Sequence, residues 1–142
     1  MHHTKDKGDL GNIKIMADLA AQDFKILTPL SEHLPFDFVA YDPLSKRLFK
    51  VQSKYKSLVN GILSVNLQTC YSSSKRVFSS RYDTSTFDVL ATYCPDIDKV
   101  VYVLEIDLMH LKRSVNFCLQ NKKGTRFIED YVNLRKLLSV VP

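Results

Sequence analysis

The feature that most constrains the fold is a pair of strand-like segments joined by a tight turn. Phe36 to Tyr41 and Leu48 to Lys56 are rich in the aromatic and apolar residues that favour strands. Between them, Asp42-Pro43-Leu44-Ser45 has the aspartate and the proline that a type I turn prefers at its first two positions. We therefore predict an antiparallel β-hairpin in this part of the chain.

Other segments predict a sheet covered by helices. Leu10, Ile13, Met16 and Leu19 recur every three residues and predict a helix from about Leu10 to Ala21. The remaining predicted elements are a short apolar piece at Phe24–Leu27, strands at Gly61–Leu67, Phe87–Tyr93 and Lys99–Ile106, a short helix at Asp107–Arg113 and a C-terminal helix marked by Ile128, Tyr131, Leu134 and Leu138. This order is typical of an α+β or mixed α/β fold in one domain over residues 1–142, with residues 1–6 flexible.

Composition excludes several classes of protein. A hydrophobic content of 45% is too high for a disordered chain. The N-terminus is polar and charged, with no visible secretory signal, and no apolar run reaches the roughly 20 residues that span a bilayer. Cys70, Cys94 and Cys118 form no C-x-x-C pair, which argues against a zinc site or a disulfide framework. We expect reduced, buried thiols in a cytoplasmic protein.

Positive charge is concentrated in the middle of the chain. Eight basic residues and no acidic ones lie between Lys46 and Tyr82, whereas the net charge of the whole chain is +5. Such a run is most often a solvated face, but here it lies beside a candidate metal site in the predicted hairpin. That position favours a phosphate-binding surface.

The predicted hairpin also contains residues that fit metal-dependent phosphodiester chemistry. Gln52 and Lys54 alternate to the same face of the second strand, and pairing around the turn brings that face near Asp37 on the first. A carboxylate, an amide oxygen and the Ser53 carbonyl are oxygen ligands suited to Mg²⁺. Lysine can polarise or deprotonate a water and offset phosphate charge. The spacing alone is weak evidence, because Asp and Lys on neighbouring strands are commonly solvated pairs.

Three segments together resemble a branch of the PD-(D/E)XK nuclease superfamily. They are Lys7-Gly8-Asp9-Leu10-Gly11, Pro35-Phe36-Asp37-Phe38-Val39 and Phe49-Lys50-Val51-Gln52-Ser53-Lys54. The branch carries glutamine where most members have Asp or Glu, and it includes the small homing endonucleases encoded in cyanobacterial group I introns. The Phe87-Asp88-Val89 to Ile106 segment also fits, so the resemblance covers most of the chain.

The resemblance implies a restriction-endonuclease-like fold, with a mixed central sheet flanked by helices. It implies a Mg²⁺-dependent double-strand cut, with Mn²⁺ as a substitute, at a long pseudo-palindromic site where the intron inserts. It also implies a bacterial, nucleoid-associated protein that assembles symmetrically as a dimer of dimers. By motif position, Asp37 matches the first acid and metal ligand, Gln52 the altered second ligand, and Lys54 the motif lysine.

One position departs from the branch pattern. A glutamate usually follows the Gly-x-x-Gly of the first helix, but here Gly8-Asp9-Leu10-Gly11 is followed by Asn12. We assign Asn12 to the catalytic glutamate position, which leaves Asp37 as the one carboxylate among the expected ligands. Weak metal affinity and slow or absent catalysis are the expected consequences. The alternative is that Asn12 caps or decorates the helix and that Glu32 supplies the second carboxylate.

DNA-reading residues are expected in the basic segment. Phosphate contacts position a protein on DNA, and contacts to base edges read the sequence. Gly61–Gln68 has a polar face. The polar segment Thr69–Thr86 is predicted to be either a loop or an exposed hairpin. As a hairpin it would form a two-stranded ribbon that fits the major groove, with its tip at Ser72–Ser80. The candidate DNA contacts are Lys56, Ser57, Asn60, Asn66, Gln68, Lys75, Arg76, Arg81 and Tyr82.

Three other classes of protein remain open at this point. A DNA-binding module that has lost catalysis, or a Holliday-junction-type resolvase of the same fold, is compatible with the same residues. An RNA-binding or ribosomal-type basic protein would explain the charge but not Asp37, Gln52 and Lys54 together.

Overall fold

The computed structural model of the protein describes residues 3–72, 77–81 and 86–140, with backbone alone for 68–72 and 77–81. In chain order the elements are α1 (Thr4–Ala21), β1 (Lys25–Leu27), β2 (Phe38–Asp42), β3 (Arg47–Tyr55), β4 (Ile62–Asn66), β5 (Gln68–Ser72), β6 (Val77–Arg81), β7 (Val89–Cys94), β8 (Lys99–Leu104), α2 (Glu105–Leu108), β9 (Ser114–Cys118), a 3₁₀ helix (Ile128–Tyr131) and α3 (Leu134–Ser139).

A mixed sheet in the order β1-β2-β3-β7-β8 forms the centre of the molecule. Strand β3 pairs with β7 in parallel, and its other neighbour β2 is antiparallel to it. The β7–β8 pair is a second antiparallel hairpin around the turn at 95–98. The predicted mixed sheet with flanking helices is therefore confirmed.

The predicted β2–β3 hairpin is also confirmed, with Asp42 opposite Arg47 at its closed end. The connection is a four-residue loop rather than a simple type I turn, because the Lys46 amide donates to the Asp42 carbonyl at 2.8 Å. The Asp42 carboxylate accepts from the Leu44 amide at 3.1 Å and from the Ser45 hydroxyl at 2.7 Å. Lys46 closes the loop with φ of 61°. Side-chain hydrogen bonding by aspartate thus sets the loop.

Helix α1 differs from its prediction in its start and in its buried face. It begins at Thr4, where the His3 ring accepts from the Lys5 amide, so residues 4–6 lie within the helix. The buried face is Gly11, Ile15 and Leu19, and Ile13 is 64% exposed. A spacing of three drifts around a helix of 3.6 residues per turn, whereas a spacing of four stays near one face. The prediction that Ile13 lies on the buried face of α1 was therefore wrong.

The two faces of the sheet bury separate apolar cores. On one face α1 packs on large residues of the sheet, among them Phe38, Phe49, Val51 and Tyr102. On the other face Leu90, Val101 and Val103 pack against the β4–β9 pair. Leu63, Val65 and Leu67 are buried, which confirms the predicted apolar face of the Gly61–Leu67 segment. The sheet is therefore held between a helix and a second, smaller sheet.

The C-terminal third departs most from the sequence predictions. The predicted helix at Asp107–Arg113 is instead the four-residue α2 (Glu105–Leu108), and strand β9 follows it without having been predicted. The predicted C-terminal helix is divided into a 3₁₀ turn and α3. Asn133 makes this break, because its backbone is extended and its side chain accepts from the Lys136 amide as an N-cap.

Arg135 on α3 joins three parts of the fold. Its guanidinium donates to the Gln22 carbonyl at 2.5 Å and to Asp42 Oδ1 at 3.0 Å, and it lies 4.4 Å from the centre of the Phe24 ring. Burial raises the pKa of Asp42, but hydrogen bonds from Ser45, Leu44 and Arg135 outweigh it and leave that pKa below its ordinary value. The residue therefore has an internal structural role.

The described side chains include two of the three cysteines. Cys94 is a buried free thiol whose pKa is raised by burial, and Cys118 is a half-buried free thiol. The side chain of Cys70 lies outside the described set. Among the described residues, no helix is both long and apolar enough to cross a membrane.

Candidate active site

The site is built at the open end of the β2–β3 hairpin, where Asp37 immediately precedes β2. The Asp37 amide donates to the Val51 carbonyl at 2.9 Å and so extends the antiparallel ladder by one residue. Two donors from β3 converge on Asp37 Oδ2: the Gln52 amide nitrogen at 3.0 Å and the Ser53 backbone amide at 2.8 Å. The hairpin alone therefore brings Asp37, Gln52 and Ser53 into contact.

Helix α1 adds Asn12 to this group. The Ser53 hydroxyl lies 2.5 Å from Asn12 Oδ1 and 3.0 Å from Asp37 Oδ2. A hydroxyl has one proton to donate, so Ser53 donates to one of these acceptors at a time. Asn12 lies in the interior of the helix, and the capping role considered for it is excluded because His3 is the N-cap. Ser53 is thus the link between the helix and the hairpin.

Gly11 is the residue that lets α1 approach β3 so closely. A Cβ atom at this position would lie 3.3 Å from Tyr55 Cβ and 3.5 Å from the Lys54 carbonyl oxygen. The first distance is shorter than ordinary van der Waals contact between carbon atoms. The absence of a side chain at position 11 therefore sets how near Asn12 comes to Ser53.

These residues line one open cleft of about 510 Å³ between the start of α1 and the ends of β2 and β3. The cleft is lined by all four residues predicted to be catalytic, which are Asn12, Asp37, Gln52 and Lys54. The other lining residues are Thr4, Lys5, Lys7, Gly8, Asp9, Ser53 and Tyr55.

The first two turns of α1 contribute residues that sequence reasoning missed. Lys5, Asp9 and Asn12 follow the spacing of four and three residues that places side chains on one helix face. This signal was present in the sequence, but the helix had been predicted to start at Leu10. Glu32, considered as the second carboxylate, is instead an exposed loop residue whose carboxylate lies 3.9 Å from the His33 ring. It is not among the residues that line the cleft.

The predicted DNA-contacting residues fall into two groups. Lys56, Ser57 and Asn60 are exposed in the connection between β3 and β4, and Asn66 is exposed at the end of β4. Gln68 and Arg81 face each other in the register of the antiparallel β5–β6 pair, which shows that the polar segment is a hairpin. Their side chains lie outside the described set, as do Lys75, Arg76 and Tyr82 altogether.

The donor set fits a hard divalent cation. The cleft contains the Asp37 carboxylate and the side-chain amides of Asn12 and Gln52, and the Ser53 carbonyl was predicted as a further ligand; oxygen atoms of these kinds are the ligands that Mg²⁺ and Mn²⁺ prefer. Within the described residues, no three His, Cys, Asp or Glu side chains are grouped closely enough to hold a metal. Any cation here therefore depends on neutral oxygen ligands and on few charges.

Comparison with known families assigns the chain to a class of nucleases. The PD-(D/E)XK endonuclease family model matches residues 2–131, and the chain belongs to this family. Among solved structures, the chain is similar to the bacterial homing endonuclease I-Ssp6803I, with a TM-score of 0.77. The two share 20% sequence identity over 96% of this chain and 93% of the other, a likeness that shows the fold. A search of curated proteins finds no match.

Proposed function

We propose that this endonuclease is a Mg²⁺-dependent enzyme that cuts both strands of DNA at a long, pseudo-palindromic intron-insertion site. The observation that carries the proposal is the convergence of Asn12, Asp37, Gln52 and Lys54 in one cleft of a chain of this family. Homing as the biological context is supported by the fold shared with I-Ssp6803I and by the motif with glutamine at position 52.

Asp37 is proposed as the principal metal ligand. The hydrogen bonds from Gln52 and Ser53 all reach Oδ2, and we assign the contact with the cation to Oδ1. The Gln52 side chain donates to Asp37 through Nε2, so its Oε1 becomes a ligand only after the amide turns over. Such a cation, when bound, would neutralise charge on the phosphate and orient it for in-line attack.

Lys54 is proposed to act on the attacking water and on the phosphate. It lies on the same face of β3 as Gln52 and lines the same cleft as Asp37. An ammonium group in that position can donate a hydrogen bond to a phosphate oxygen and stabilise the charge that develops there. It can also orient the water by holding it in hydrogen-bond reach.

Asn12 is proposed to weaken the enzyme. Asparagine presents an oxygen to a cation but no charge, and Gln52 is neutral as well. In this structure Asn12 Oδ1 is also engaged by the Ser53 hydroxyl at 2.5 Å. The same feature favours the second candidate function, a DNA-binding module of this fold that has lost cleavage.

DNA recognition is proposed to use the basic segment. Lys56 is exposed just beyond β3, and the antiparallel β5–β6 pair belongs to the basic segment of the sequence. A small domain that reads a long site needs several copies, and two-fold symmetry of the protein would mirror the pseudo-palindrome. We therefore propose a homo-oligomer, a dimer of dimers.

The test is cleavage by the wild-type chain and by Asn12→Glu. Target duplexes are selected from a random library by binding to the wild-type protein, and each is incubated with Mg²⁺ and then with Mn²⁺. We expect the Asn12→Glu variant to cut faster by at least about 10-fold, as expected for restoring one ligand. Tight binding by both proteins with cutting by neither would favour the non-cleaving module. Cutting that is specific for four-way junctions would favour a resolvase, and failure to bind DNA would overturn the proposal.

A further inference from the structure

We infer that Asp9 supplies the second carboxylate of the metal site, one helical turn before the position that Asn12 occupies. The inference rests on the proposed metal-dependent function and deepens it. It concerns a residue that the motif does not assign to catalysis, and it explains how this chain retains a charged site although both variable ligand positions are neutral.

The need for a second charge follows from the ligands. Of the residues assigned to the cation, Asp37 alone is charged, while Asn12 and Gln52 are amides. Lys5, Lys7 and Lys54 line the same cleft and disfavour a cation there. A second carboxylate would offset part of this repulsion.

Asp9 is the residue placed to provide it. Asp9 and Asp37 are the two acidic residues among the described residues that line the cleft. Residues three apart on a helix lie on one face with Cβ atoms about 5–6 Å apart, so Asp9 and Asn12 form adjacent positions on the wall of the cleft that α1 contributes. Asp9 is exposed to solvent, so its carboxylate is accessible to an ion entering the cleft.

The Asn12–Ser53 contact explains why the negative charge can lie at Asp9, one helical turn before position 12. The Asn12 amide oxygen accepts from the Ser53 hydroxyl and joins the helix to the hairpin. Asn12 then serves mainly to position Ser53 and Asp37, and the negative charge on this wall comes from Asp9. Asn12 thereby has the structural role and Asp9 the electrostatic role, whereas a single glutamate would combine both.

The chain offers a matched control for this inference. Asp6 lies on the same helix, three residues before Asp9, and does not line the cleft. Asp6→Asn and Asp9→Asn change the net charge equally and keep the size of the side chain. Any difference between the two variants therefore reports on the cleft rather than on overall charge.

The experiment measures the affinity of the full chain for Mn²⁺ without DNA, with binding monitored by electron paramagnetic resonance. We expect Asp9→Asn to weaken binding by about 10-fold or more, and Asp6→Asn to change it by less than about twofold. Asn12→Glu in the Asp9→Asn background should restore affinity. Thermal unfolding of each variant shows that the fold is unchanged.

The Asp37→Asn variant distinguishes failure of the Asp9 inference from failure of the proposed metal site. If Asp37→Asn abolishes Mn²⁺ binding and Asp9→Asn behaves like Asp6→Asn, the role of Asp9 is overturned and the proposed metal site stands. If Asp37→Asn leaves binding unchanged, the proposed metal site itself is overturned. Loss of binding in both Asp37→Asn and Asp9→Asn, with Asp6→Asn intact, supports both.

Discussion

At the scale of single residues, Asp37 and Ser53 organise the candidate site. Asp37 Oδ2 accepts from the Ser53 amide and from Gln52, and the Ser53 hydroxyl reaches both Asp37 and Asn12. Hydrogen bonds of this kind fix the orientation of a ligand and tune its affinity. The carboxylate of Asp37 is thus held in place before any cation binds.

Replacing Asp37 by asparagine should remove cleavage but preserve DNA binding. We expect a fall in the cleavage rate of at least about 100-fold, because the charged ligand is lost while the size and one acceptor remain. Glu32→Gln, which changes an exposed acid outside the cleft, is the control and should cut normally. Rates come from single-turnover cleavage, and affinity from binding without metal. Collapse of binding in Asp37→Asn would instead assign Asp37 a structural role.

The hydrogen bonds that Asp42 accepts from Ser45, Leu44 and Arg135 predict a dependence of stability on pH. The lowered pKa of Asp42 means that its contribution is fully present above the ordinary aspartate pKa and is lost as pH falls through the lowered folded-state value. Asp42→Asn should therefore reduce the free energy of unfolding by about 1–3 kcal/mol at pH 7, and by less below about pH 4. Urea unfolding at several pH values measures both. A difference that does not change with pH would contradict the role of the charge.

At the scale of elements, helix α1 determines how the site closes against the sheet. Gly11 brings the helix to β3, whereas Gly8, on the same helix, has nothing within 4 Å of its missing Cβ. Sequence reasoning identified this helix, but it placed the start at Leu10 and buried Ile13. The first turns carry no apolar residue between Thr4 and Asp9, so hydrophobic periodicity had no signal there.

Alanine at these two glycines should act differently. Gly8→Ala should raise the free energy of unfolding by about 0.5–1 kcal/mol, because alanine is the better helix former and meets no neighbour. Gly11→Ala should gain less or lose stability, because its Cβ presses on Tyr55 Cβ, an atom fixed to the strand backbone. Urea unfolding of both variants gives the comparison. Equal gains would show that α1 is free to move away from β3.

At the scale of the whole molecule, the distribution of charge predicts how binding responds to salt. The basic segment begins at Lys46 and continues beyond β3, whereas the rest of the chain is net acidic. This segment is therefore expected to be turned towards DNA, with the acidic remainder away from it. An oligomer would place several such segments along one duplex.

DNA affinity should fall steeply as salt rises. If an assembled enzyme contacts about 6–10 phosphates, its affinity should decrease by roughly 10³–10⁵ between 50 and 200 mM salt. Lys56→Gln should reduce the slope of log affinity against log salt by about 1 for each phosphate that the lysine neutralises. Lys25→Gln, an exposed residue of edge strand β1, is the control and should leave the slope unchanged. A shallow slope for the wild-type protein would argue against phosphate binding as the main source of affinity.

The parts of the site that the sequence predicted are those that depend on short-range pairing. Asp37, Gln52 and Ser53 lie across one hairpin, and the turn at Asp42 determines which residues face each other. Lys54 follows by alternation along the strand. Local turn chemistry and a period of two predict that these residues lie together, whereas their interpretation as a metal site came from the family motif, which also adds Asn12.

Only the tertiary structure decided the rest, because it depends on contacts between residues far apart in the chain. The insertion of β7 parallel to β3, the pairing of β9 with β4, and the division of the C-terminal helix at Asn133 leave little local signal. The placement of Asp9 beside the cleft depends on how closely Gly11 packs on Tyr55. Such packing is selected by the burial of whole faces, and no single segment of the sequence encodes it.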